Sequence, residues 1–142
     1  MISSRQYPVI LSLALGAALA SCAPPPTAPV SGARIFASDM TGGAKNCTAS
    51  KPTLTDAKET SVTMQVGNDG GWCAITVQRG GNTFDAGLLT DHPAHGTVFI
   101  HPVGDATRID YTPARGFNGA DWFTVRLLPG NPVIRVTVTV TP

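Results

Sequence analysis

The chain has 142 residues, with ten Lys and Arg against nine Asp and Glu for a formal charge of +1, and it carries twelve prolines and fifteen glycines. A near-neutral charge without a Lys/Arg cluster argues against a nucleic-acid partner. So many turn formers with so few charges point to short strands rather than helices, in one domain with additional segments.

Residues 1–21 read as a secretory leader. Arg5 gives the positive start, Val9 to Ala20 the apolar centre, and small residues follow. The centre is too short to span a bilayer as a helix. Leu19-Ala20-Ser21-Cys22 resembles the bacterial lipobox. That resemblance implies cleavage before Cys22, a diacylated sulfur and an acylated amine. The alternative is ordinary small-x-small processing at Ser21-Cys22-Ala23, which leaves a soluble protein. Several acyl chains on one residue hold a protein on a membrane far longer than one does, at about 0.8 kcal/mol per buried methylene. Ala23 stands where lipoproteins of the inner membrane often have Asp, so the resemblance implies the outer membrane, with either face open.

Residues 22–33 join the lipidated cysteine to a Pro-rich tether that cannot pack a core. An extended polyproline run rises about 3.1 Å per residue, so about ten residues hold a domain about 30 Å from its anchor. With Cys22 lipidated, Cys47 and Cys73 are left as a pair in an oxidising compartment, which predicts a disulfide. It ties the poorly patterned residues 34–58 to the domain behind them.

Residues 59–142 alternate with period two. Val62, Met64 and Val66 form the first inward set and Cys73, Ile75 and Val77 the second. Phe84, Ala86 and Leu88 form the third, Val98 with Ile100 the fourth, and Ile109 with Tyr111 the fifth. Phe123, Val125 and Leu127 then pair across Leu128-Pro129-Gly130-Asn131 with Ile134, Val136, Val138 and Val140. The prediction is an all-β, seven-stranded, immunoglobulin-like antiparallel β-sandwich with one disulfide, and no helix after the leader. If the final Val-Thr repeat is an edge strand, its backbone is open to a partner strand.

His95-Gly96-Thr97-Val98, Tyr111-Thr112-Pro113, Gly116-Phe117-Asn118-Gly119 and Asp121-Trp122-Phe123-Thr124 together resemble the H-G-T-V … Y-T-P-x-x-G-F-x-G-x-D-x-F-T string of bacterial Ig-like and cadherin-like domains. The resemblance implies the sandwich and says little about chemistry. Within the string, Gly116 and Gly119 suit positive φ at a corner, Asp121 suits a hydrogen bond to its backbone, and Tyr111 suits a part like that of a tyrosine corner.

Candidate chemistry is sparse. His92, His95 and His101 lie close together, but His95 belongs to the string, His101 points outward, and no further soft ligand completes a metal shell. Asn68, Asp69 and Asp85 offer oxygens without the density of a calcium loop. There is no G-x-S-x-G, H-E-x-x-H or paired acidic motif, so no enzyme, metal or cofactor is expected. The helix motif of peptidoglycan-anchoring domains is also missing.

The outward aromatics are the informative anomaly. Related domains usually carry small polar residues where Phe99 and Trp122 stand. In an immunoglobulin topology Trp72 and Phe99 share one outer face with Arg108 and Asp110, while Trp122 sits on the other sheet near Arg126 and Arg135. Aromatics beside Arg match hot-spot composition, and they also stack on sugars. For the Trp72/Phe99 face two readings stand: a partner site, or a face covered by residues 34–58 through Ile35 and Phe36. The expected function is a non-enzymatic outer-membrane lipoprotein that binds an envelope protein through Trp72, Phe99, Trp122 and Arg126. The alternatives are binding of an envelope glycan or peptidoglycan, and periplasmic inhibition of an enzyme through a loop such as Thr90 to Gly96.

Overall fold

The computed structural model describes residues 35–142, so the leader at 1–21, Cys22 and the tether at 22–33 lie outside the described residues. A 3-10 turn at Ala37–Met40 precedes eight strands: β1 Cys47–Ala49, β2 Glu59–Gly67, β3 Cys73–Val77, β4 Ala86–Asp91, β5 Gly96–Val103, β6 Ala106–Pro113, β7 Gly119–Leu128 and β8 Val133–Thr141. They form a five-stranded sheet in the order β1-β2-β8-β7-β4 and a three-stranded sheet in the order β3-β6-β5.

The inner faces follow the period-two pattern. Val62, Met64 and Val66 meet Ile75, Val77, Ile109, Tyr111, Phe123, Val125, Leu127 and the four aliphatics of β8 in one buried core. Burying each such side chain contributes about 1.5–3 kcal/mol. The disulfide joins Cys47 to Cys73 with Cα atoms 5.3 Å apart, so it links β1 of one sheet to β3 of the other.

Four expectations need correction. There are eight strands rather than seven, because Cys47–Ala49 pairs with β2 inside the segment expected to be irregular. Three residues carry too little alternation to be seen in sequence, and their partners lie across a turn. The pairing is not antiparallel throughout, since β2 runs parallel to β8 from Glu59↔Val133 to Gly67↔Thr141. Parallel neighbours need a long connection, and here the five strands β3 to β7 supply it. The final Val-Thr strand is no edge, because β8 lies between β2 and β7.

The third inward set also changes phase. Phe84 is buried, but Ala86 and Leu88 face outward and Leu89 packs on the core. A bend at Asp85 separates Phe84 from β4, and Leu88 then stands opposite Arg126.

Candidate functional site: two stacked tryptophan-arginine pairs

The corner built by the H-G-T-V … G-x-D string is a closed polar network. Asp121 is buried, and its carboxylate accepts the backbone N–H groups of Ala94, His95 and Trp122 at 2.9 Å each and the Tyr111 hydroxyl at 2.9 Å. Burial acts to raise the Asp121 pKa, but the hydrogen bonds from Ala94, His95, Tyr111 and Trp122 outweigh it and hold it below the ordinary value of 3.8. The Tyr111 hydroxyl is pushed well above its usual range by burial, reinforced by the adjacent Asp121. His95 stacks on Phe117 with ring centroids 4.1 Å apart, and Gly116 and Gly119 adopt φ of 76° and 135°.

Asn68 closes the corner from the far side, donating to the Ala114 and Phe117 carbonyls at 2.8 and 2.7 Å. Its neighbour Asp69 accepts the N–H groups of Lys45 and Gly71. Of the groups weighed for calcium, the Asp69 carboxylate and the Asn68 amide are thus engaged with the backbone. His101 contacts Asp110 and His95 contacts Phe117, so the histidines do not converge. Among the described residues no three His, Cys, Asp or Glu gather as a metal site. A groove of about 500 Å³ between residues 49–54 and β3 is lined by Leu54, Ile75, Lys51 and Gln78 and holds neither histidine nor carboxylate.

On the outer face of the three-stranded sheet, the Arg108 guanidinium lies 4.1 Å from the centroid of the Trp72 ring. Its Nε and Nη2 donate to the two oxygens of Asp110 at 2.8 and 2.9 Å, and its Nη1 donates to the Asp39 carbonyl. His101 Nε2 sits 3.1 Å from the same Asp110 carboxylate. Arg108 and Asp110 are both buried.

Trp72 Nε1 donates to the Thr41 carbonyl at 3.1 Å, and the backbones of Gly42 and Ala44 bond to that of Trp72. The leading segment thus covers the Trp72 part of the face, though not through Ile35 and Phe36, which stay exposed. Trp72 and Arg108 present N–H donors, so backbone carbonyls satisfy them where apolar side chains would not. Phe99 remains 64% exposed at the margin, tilted against His101.

The outer face of the five-stranded sheet repeats the stack in a different state. Arg135 lies 4.3 Å over the Trp122 ring, and Trp122 is 42% exposed. Among the described residues the ion pairs are Arg79–Asp56, His101–Asp110 and Arg108–Asp110, so neither Arg126 nor Arg135 takes part in one. Between them sits Thr124, 4% exposed, with an Oγ1 that has no hydrogen-bond partner. The sequence placed Trp122, Arg126 and Arg135 together by strand phase. It could not reveal Thr124, whose burial depends on the large side chains around it.

Two facing sheets, β2 running parallel beside the last strand β8, and a disulfide between sheets define an immunoglobulin-like β-sandwich. The chain belongs to the bacterial Ig domain family, whose model matches residues 45–141. Domains of this family are generally structural or protein-binding and non-catalytic. No curated protein matches the chain.

Proposed function

We propose that the protein is a non-enzymatic lipoprotein of the bacterial outer membrane, anchored through Cys22, whose sandwich docks onto another envelope protein. The observation that carries this reading is the Trp122 face. The polar corner and the Arg108 cluster are closed on themselves, whereas Trp122 and its neighbouring arginines face outward on a rigid sheet. Exposed Trp beside Arg is the composition of interface hot spots. The lipobox-like leader and Pro-rich tether supply attachment and reach.

The test is mass spectrometry of the native protein after gentle detergent extraction and crosslinking. A triacylated Cys22 and one reproducible crosslinked protein neighbour are the expected result. An unlipidated chain starting near Pro24, with no neighbour, overturns the reading.

A further inference from the structure

Each sheet carries a Trp–Arg stack on its outer face, and the two differ in what completes them. At the first, Arg108 stacks on Trp72 at 4.1 Å while Asp110 accepts two of its donors and the Asp39 carbonyl a third. At the second, Arg135 stacks on Trp122 at 4.3 Å, and no acceptor among the described residues meets its guanidinium. Stacking fixes the plane of a guanidinium and leaves its edge free for a carboxylate.

The register shows how the second site is laid out. Thr124 pairs with Arg135 and Arg126 with Val133, so Arg126 and Arg135 are diagonal neighbours on one face. Two like charges at that spacing repel unless an anion lies between them. Thr124 stands beside both, two residues from Trp122, and its buried hydroxyl is unpartnered. Leu88, opposite Arg126 and 47% exposed, adds apolar surface.

We infer that Trp122, Thr124, Arg126, Arg135 and Leu88 form a docking site for an acidic segment of a protein partner, one carboxylate flanked by apolar side chains. This rests on the docking-module reading above. Two carboxylates of the chain itself limit the occupant: Glu59 shares the row of Val133 and Arg126, and Asp91 pairs with Thr124. Neither forms an ion pair among the described residues, and both repel a long polyanion more than they repel a single carboxylate. A peptide is favoured over a sugar because Arg135 already lies over the Trp122 ring, where a sugar would stack.

The test is a titration of the full-length, isotope-labelled protein in detergent micelles, followed through the side-chain N–H signals of Arg126, Arg135 and Trp122. The probes are a capped Leu-Asp-Leu peptide, its Leu-Asn-Leu counterpart and an oligogalacturonate. Saturable shifts with the Asp peptide alone are expected, weakening with added salt. Arg135→Gln and, separately, Arg126→Gln weaken binding about tenfold or more, while Arg115→Gln, away from this face, leaves it unchanged. Absence of saturation, equal binding of the Asn peptide, or shifts with oligogalacturonate alone overturn the proposal. Crosslinking separates the two levels. A neighbour lost in Arg135→Gln supports this face, a neighbour that persists in that variant overturns this face only, and no neighbour for the unmodified chain overturns the module reading with it.

Discussion

The Tyr111 hydroxyl donates to Asp121 Oδ2 at 2.9 Å, and the same carboxylate holds the chain entering β5 through the N–H groups of Ala94 and His95. One buried carboxylate therefore fastens β6, β7 and the 92–95 loop together. Asp121→Ala leaves the Ala94 and His95 N–H groups and the Tyr111 hydroxyl without their acceptor. Each unsatisfied buried group costs about 1–3 kcal/mol, so the variant loses about 3 kcal/mol or more in denaturant unfolding. Tyr111→Phe removes one donor and costs about 1–2 kcal/mol.

The same carboxylate sets an acid limit. Its folded-state pKa lies below the ordinary 3.8, so the stability it contributes is fully present above that value and is lost as pH falls through the depressed one. Thermal melts of the wild type should be flat with respect to this group from neutrality to about pH 5 and fall below about pH 4. Asp121→Asn should flatten that acid slope while lowering the melting temperature at neutral pH.

Gly96 cannot carry a side chain. A Cβ there would overlap the Tyr111 ring, lying 2.6 Å from Cζ and 2.7 Å from the hydroxyl oxygen. Gly96→Ala displaces the ring from Asp121, and a loss of about 2 kcal/mol or more is expected from chemical denaturation, with a change in the near-ultraviolet tyrosine signal.

The two stacks should respond differently to substitution. Asp110→Asn leaves Arg108 buried with its charge uncompensated, for a loss of about 3 kcal/mol and faster hydrogen exchange at the Ala44 amide. Arg135→Gln removes an arginine with no ion-pair partner and changes stability by about 0.5 kcal/mol or less. Equal losses at both sites would contradict the difference in completion described above.

Opening the Cys47–Cys73 bond frees a loop with a sequence separation of 26. Chain entropy assigns such a loop about 3.5 kcal/mol, so the Cys47→Ala/Cys73→Ala double variant should lose about that amount, and protease should cut first near β1.

The inner faces were legible because Val62 through Val66 and Ile134 through Val140 alternate without interruption, and alternation reports a half-buried strand directly. The placement of Trp72, Phe99 and Trp122 on outer faces followed from the same phase. β1 was hidden because three residues make no pattern. The third strand was misphased because the bend at Asp85 resets the alternation between Phe84 and Leu88, and a bend leaves no signature in hydrophobicity. The reading in which residues 34–58 cover the Trp72 face rests on Ile35 and Phe36, because side chains are what sequence displays. The contacts are carbonyls of Asp39 and Thr41, which every residue possesses and no composition betrays.

Cys47 pairs with Val66, and Val66 pairs with Val140, so residues 47 and 140 lie two strand spacings apart, about 10 Å, at one end of the five-stranded sheet. Both leads of the domain leave from that end. A pull applied to them peels β8 away rung by rung instead of sliding it past β2 as a whole, and the disulfide keeps the residues it encloses from paying out.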